Sequence, residues 1–121
     1  QIALFMWFST RLDEYPEIRW LFAIPNGGFR HKAEAAKLRA MGVKAGISDI
    51  CLPVKRGEYS GLWVELKRPA KIEIKSRAGA ASSNQKDFID FVRTQGYAAC
   101  VCVGWEAARD AIVSYLQYKK E

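Results

Sequence analysis

The chain has 121 residues, is 50% hydrophobic and carries a formal net charge of +6. This length predicts a single domain over residues 1–121, and this hydrophobic content excludes a disordered chain. No apolar run approaches the ~18 residues that a membrane-spanning helix needs, so we expect no membrane partner. The apolar opening segment lacks a basic start, so we expect no signal peptide and a cytoplasmic location.

The predicted secondary structure alternates helices and strands in the order α-β-α-β-β-α-β-α. Pro16 follows the first helix and Gly42 ends the second, since proline and glycine both interrupt helical hydrogen bonding. This order predicts an α/β domain with a mixed central sheet flanked by helices. The predicted elements are helix 2–12, strand 20–24, helix 30–41, strands 47–54 and 61–67, helix 82–95, strand 97–103 and helix 106–118.

The hydrophobic pattern also predicts which side chains form the core. Apolar residues surround most of helix 2–12, which favours a well-buried helix. Trp7 and Trp20 are predicted to lie in the core as well. The inward faces of the last two helices are predicted to be Phe88, Phe91 and Val92, and Ala107, Ile112, Val113 and Leu116.

The positive charge is concentrated in the middle of the sequence. Residues 30–77 contain twelve basic and five acidic side chains, whereas the rest of the chain contains seven basic and eight acidic ones. A local surplus of this kind suits a polyanionic partner, because each phosphate contact releases condensed counterions. An ordinary solvated surface is the alternative explanation for any single lysine or arginine.

The cysteines and the single histidine exclude several kinds of site. Cys51, Cys100 and Cys102 are odd in number and contain no C-x-x-C pair, so we expect buried thiols rather than disulfides or a zinc finger. His31 alone cannot build an H-E-x-x-H site, and it is predicted to be a surface residue or a phosphate contact. Glycine-rich nucleotide-binding motifs are missing, so we expect no nucleotide cofactor.

Two neighbouring strands carry charged residues in apolar surroundings. Side chains alternate along a strand, so Glu65 and Lys67 share a face with Trp63. Asp49 begins the preceding strand, and a hairpin would bring it to the same end of the sheet. Two adjacent carboxylates suit Mg²⁺ or Mn²⁺, and a nearby ammonium can orient water or offset charge on phosphorus during phosphodiester hydrolysis. The alternative is a Glu65–Lys67 ion pair on a solvent-facing strand. The spacing of the residues alone does not distinguish this ion pair from a metal site.

Four motifs occur in order along nearly the whole chain. They are Asn26-Gly27-Gly28-x-Arg30, Leu38-x-x-x-Gly42-Val43-x-x-Gly46-x-x-Asp49, Glu65-x-Lys67, and Ser82 or Ser83 with Gln85. This ordered set resembles the VRR-NUC (virus-type replication-repair nuclease) family of the PD-(D/E)XK, restriction-endonuclease-like superfamily.

The resemblance implies a metal-dependent, structure-selective DNA endonuclease that resolves four-way Holliday junctions as a homodimer, encoded by a bacterium or a phage. It also implies roles for individual residues. Asp49, Glu65 and the Leu66 carbonyl correspond to metal ligands, and Lys67 corresponds to the catalytic lysine. Gln85 corresponds to a glutamine that supports the site, although Ser82-x-x-Gln85 also fits a helix capping box.

A further group of residues is predicted to contact DNA. The glycine turn and its arginine can lie against a phosphate, because backbone N–H groups and arginine make such contacts. The predicted contacts are Asn26, Gly27, Gly28, Arg30, Lys32, Lys44 and Arg68.

Two departures from the family pattern leave alternatives open. Ser48 stands where the family usually has proline, and the family's first-helix acidic residue would lie upstream of Gln1. If that residue is absent, a catalytically silent DNA-binding module becomes the favoured alternative. A nicking or sequence-specific nuclease acting on linear duplex is the alternative among enzymes.

Overall fold

The computed structural model describes residues 1–25, 32–69 and 83–120. Within them the order of helices and strands matches the prediction, with a short 3₁₀ turn added after the first helix. The elements are α1 (Ile2–Ser9), a 3₁₀ turn (Pro16–Trp20), β1 (Phe22–Ala23), α2 (Lys32–Ala40), β2 (Ile50–Leu52), β3 (Leu62–Lys67), α3 (Ser83–Thr94), β4 (Ala98–Val103) and α4 (Trp105–Gln117).

The four strands form one mixed sheet in the order β1-β2-β3-β4. The first three strands are antiparallel neighbours, with Ile50 opposite Val64 in the β2–β3 pair. Strands β3 and β4 run parallel, and their register places Lys67 opposite Val103. Because parallel strands end at the same edge of a sheet, the end of β3 lies beside the start of α4.

The core lies between one face of the sheet and helices α1 and α4. Leu62 and Val64 point to this face, where they join a cluster of buried residues from both helices. Burying one such side chain stabilises a fold by ~1.5–3 kcal/mol. The helical members of the cluster are Leu4, Phe8, Ala108, Ile112, Tyr115 and Leu116.

The prediction of a well-buried first helix is wrong in part. In α1 only Leu4 and Phe8 are buried, whereas Ile2 and Met6 are exposed. The helix packs against α4 along one side. Phe5 and Trp7 are half-buried against the core cluster, and no described neighbour covers Ile2 or Met6.

Three of the predicted core positions are also wrong. Trp20 is 60% exposed and packs against Arg19, whose guanidinium lies 4.8 Å from the ring centroid. Phe91 is 61% exposed, because α3 turns Ile89 and Val92 inward instead. Ala107 is exposed as well, and its neighbour Ala108 takes the buried position.

Other expectations about the interior agree with the structure in part. The three cysteines are free thiols, with Cys51 and Cys102 buried and Cys100 half-buried. Trp7 is half-buried against the core cluster. Among the described residues no helix has the length and apolar character to cross a bilayer.

We predict that Phe8→Ala destabilises the fold by about 3–5 kcal/mol, because Phe8 is 1% exposed and its removal leaves a cavity. Phe91→Ala is the matched control, since it removes the same side chain from an exposed helix position and should change stability by no more than ~0.5 kcal/mol. Urea denaturation followed by circular dichroism measures both. Similar losses for the two variants would contradict the assigned core.

Candidate active site

Asp49 is held at the start of β2 by its backbone and by its side chain. Its carbonyl oxygen accepts a hydrogen bond from the N–H of Ile24 at 2.7 Å, next to β1. Its Oδ2 atom accepts the backbone N–H of Leu66 at 2.8 Å. Continuing the β2–β3 register by one residue places Asp49 opposite Glu65. The hairpin therefore brings together the two carboxylates that the sequence motifs single out.

Glu65 is a buried carboxylate on the face of the sheet opposite the core, and it is only 2% exposed. Beside it on this face, the Trp63 ring lies 5.1 Å from the Phe88 ring of α3, centroid to centroid. The Oε2 atom of Glu65 accepts a hydrogen bond from Gln85 Nε2 at 3.0 Å. The Oε1 atom is buried and has no hydrogen-bond partner among the described residues.

Burial raises the pKa of Glu65 to about 8, and the neighbouring Asp49 carboxylate contributes to the rise. The Lys67 ammonium opposes this shift, since its Nζ atom lies 3.7 Å from Glu65 Oε2. The desolvation of Glu65 thus outweighs the attraction of a single lysine. A bound divalent cation would instead lower the pKa of Glu65, because such an ion is the largest local charge in a metal site.

Gln85 links Glu65 to Lys67. Its Oε1 atom accepts a hydrogen bond from Lys67 Nζ at 2.5 Å while its Nε2 atom donates to Glu65. The two ends of one amide thereby fix the separation of the carboxylate and the ammonium. This geometry favours the site-supporting interpretation of Gln85. The other member of the proposed capping box, Ser82, lies outside the described residues.

Gly46 permits the close approach that puts Gln85 in place. It has a φ of +85°, and a Cβ atom there would lie 2.6 Å from the Cβ atom of Asn84. Only glycine combines this φ with this contact without strain. The loop that leads to Asp49 therefore packs directly against the first turn of α3.

The direction of the Leu66 carbonyl follows from the hydrogen bonds around it. The Lys67 carbonyl accepts the N–H of Gly104, on the β4 side of β3. Successive residues of a strand point their backbone groups to opposite sides, and each residue points its own N–H and C=O to the same side. Since the Leu66 N–H reaches Asp49, the Leu66 carbonyl points toward the β2 side too.

The oxygen atoms gathered here are suited to a hard divalent cation. Mg²⁺ is commonly bound by one or two carboxylates with water completing its shell, and its ligands are oxygen atoms. The buried, unpartnered Oε1 of Glu65 is an oxygen that such an ion would satisfy. The described residues contain no cluster of three or more His, Cys, Asp or Glu side chains that could hold a metal ion, so this pair of carboxylates has no third such side chain beside it there.

A cleft of about 470 Å³ opens beside Asp49 and Lys67. Three of its residues were missed by the sequence interpretation: Gly104, Trp105 and Glu106. These three residues directly follow β4. A prediction that β3 and β4 pair in parallel would have put them beside Lys67, because Lys67 lies opposite Val103. The remaining residues that line the cleft are Gln1, Leu66, Arg68 and Pro69.

The predicted DNA contacts fall into two groups. Lys32, Lys44 and Arg68 are exposed, and Arg68 also borders the cleft. The residues of the glycine turn lie outside the described part of the chain, namely Asn26, Gly27, Gly28 and Arg30.

We predict that the free energy of unfolding of the metal-free domain contains a component that falls as the pH rises from about 5 to about 8. The pKa of Glu65 is raised to about 8, so within this window the folded protein keeps a proton that the unfolded chain releases. Glu65→Gln is nearly isosteric, does not titrate, and should lack this component. Urea denaturation in chelating buffer across the window measures it. Identical pH dependence of the two proteins would contradict the raised pKa.

Comparisons with known proteins agree with this architecture. The family model of the VRR-NUC domain matches residues 24–106, which include Asp49, Glu65, Lys67 and Gln85. A solved structure named "VRR_NUC domain protein" is 31% identical, with a TM-score of 0.65 over 82% of this chain and 69% of that one. No curated protein matches. The chain therefore belongs to the VRR-NUC family and is a nuclease-type domain.

Proposed function

We propose that this domain is a Mg²⁺- or Mn²⁺-dependent endodeoxyribonuclease that hydrolyses phosphodiester bonds in branched DNA, foremost the four-way Holliday junction. The observation that carries the proposal is the convergence of Asp49, Glu65 and Lys67 on adjacent strands, with Gln85 linking two of them. A solvent-facing ion pair does not explain this arrangement, because Glu65 is buried and keeps one oxygen unpartnered among the described residues.

Asp49, Glu65 and the Leu66 carbonyl are the groups that would hold the metal ion. Their oxygen atoms fit a hard cation, and the buried Glu65 would exchange its proton for the ion. When bound, a divalent cation polarises a phosphoryl oxygen and lowers the pKa of a bound water. Since Asp49 Oδ2 accepts the Leu66 N–H, we propose Asp49 Oδ1 as the oxygen that would bind the ion.

Lys67 would act on the reacting phosphate. Its ammonium is held by Gln85 near Glu65, and Lys67 is one of the residues that line the cleft, so the ammonium can orient the attacking water or offset charge that develops on the phosphoryl oxygens. A side chain fixed beforehand loses little freedom when the reaction begins. Gln85 is thus a positioning residue that acts through Lys67 and Glu65.

The basic residues around the site would bind the DNA backbone. Arg68 directly follows β3. Lys32 begins α2, and Lys44 lies after that helix. We propose that further contacts come from Asn26, Gly27, Gly28 and Arg30. Two copies related by a two-fold axis would place two cuts symmetrically across a junction, so we propose a homodimer.

We predict that the purified domain with Mg²⁺ or Mn²⁺ cuts a four-way junction faster than a duplex of matched sequence. Chelation of the metal should stop the cutting, because the two carboxylates then hold no cation. Gel analysis of labelled strands measures both rates. Equal rates on junction and duplex would favour the nicking or duplex-specific alternative.

We also predict that Asp49→Asn abolishes cutting while DNA binding persists. The amide keeps the size of the side chain but removes the charge that would bind the cation, so a loss of at least a hundredfold in cutting is expected, in line with other metal-site changes. Electrophoretic mobility shift measures the binding. Wild-type activity in this variant would discard the site, and binding without cutting by the wild type would support the silent module.

A further inference from the structure

We propose that the cleft beside the carboxylates receives one unstacked nucleotide of the strand to be cut, and that Trp105 provides the surface on which its base stacks. This inference rests on the proposed nuclease activity and specifies which feature of branched DNA the enzyme selects. The cleft adjoins the proposed catalytic residues, because Asp49 and Lys67 line it together with Trp105.

The size of the cleft suits a single nucleotide. Its volume of about 470 Å³ lies within the range of ~300–1,000 Å³ that is typical of pockets for small molecules. A base with its sugar is a group of that scale, whereas a base-paired duplex cannot enter such a space. A nucleotide therefore has to leave its stack to occupy the cleft.

The residues around the cleft offer a contact for each part of a nucleotide. Trp105 is half-buried at the start of α4, and aromatic side chains stack on bases irrespective of sequence. Glu106 can accept a hydrogen bond from a base amino group, and Arg68 can face the phosphate. Since Glu106 repels phosphate, the backbone is expected on the Arg68 side and the base on the side of α4.

The indole of Trp105 is positioned by its own neighbours. It packs against the core cluster, and the Arg109 guanidinium lies 5.2 Å from its ring centroid. The same guanidinium lies 5.6 Å from the Trp7 ring, so one cation contacts both indoles. The ring is thus fixed before any nucleotide arrives, which reduces the entropy lost on binding.

This arrangement gives a physical basis for selecting branched DNA. Extruding a base costs free energy, and the cost is smallest for a nucleotide that is already unpaired or mismatched. Base pairs at a branch point lose part of their stacking and open at a lower cost than pairs inside a linear duplex. We therefore expect a duplex with one mismatch near the cut to be cut faster than a perfect duplex and more slowly than a junction.

Two variants of Trp105 test the role of the aromatic ring. Trp105→Leu keeps an apolar side chain for the core but removes the ring, and it should cut the junction about tenfold more slowly, as expected for the loss of one stacked base. Trp105→Phe keeps a ring and should retain most of the rate. A folded Trp105→Leu protein that cuts the junction at the wild-type rate would overturn the proposal.

A cross-linking experiment does not depend on these variants or on cutting. The Asp49→Asn protein, with Trp105 intact, is irradiated with junctions that carry 5-iododeoxyuridine at successive positions along one strand. Mass spectrometry of the adduct should locate the cross-link at Trp105 for a position at the branch point and not for positions inside the arms. Cross-links confined to other residues would refute the nucleotide site. If the wild type cuts no DNA, the proposed nuclease function fails instead, whatever the cross-link shows.

Discussion

The site depends on the burial of one carboxyl side chain in an apolar layer. Glu65 lies in β3, which pairs antiparallel with β2 and parallel with β4. The elements packed around β3 remove its side chain from water. A buried carboxylate is unfavourable unless it is paired, hydrogen-bonded, protonated or bound to a cation. Gln85 and Lys67 both approach Oε2, and Oε1 is left without a hydrogen bond in the described structure. This imbalance is typical of a functional site rather than of an ion pair that serves stability.

The rest of the site follows from how β3 is surrounded. On one side the β2–β3 register fixes Asp49 opposite Glu65, and the Leu66 N–H holds the Asp49 carboxylate. Above the sheet, the contact between Gly46 and Asn84 fixes the start of α3, so that Gln85 reaches both charges. Two separate segments of the chain thus converge on one strand, and each is positioned by backbone contacts.

The sequence predicts the parts of this arrangement that depend on local patterns. Alternation along β3 correctly separates Glu65 and Lys67 from the core positions Leu62 and Val64. Local patterns fail to predict which side chains are buried where the packing of a helix on the sheet determines it. The buried side chains of α4 are Ala108, Ile112, Tyr115 and Leu116, and the rotation of the helix against the sheet, which no local pattern gives, decides that Ala108 rather than Ala107 is among them.

Other features lie beyond the reach of a single sequence. Phe91 has the same apolar character as its buried neighbours, and only the placement of α3 on the sheet shows that it is exposed. The cleft at Trp105 likewise depends on the parallel pairing of β3 with β4. Trp105 belongs at once to the wall of the cleft and to the margin of the core, and Ile112 and Leu116 anchor the helix that carries it. Asp49 lies just before β2 and Glu65 lies on β3, so the proposed metal-binding groups and Trp105 come from different elements. Under the proposed function, chemistry and substrate preference therefore depend on separate segments that meet at the same edge of one sheet.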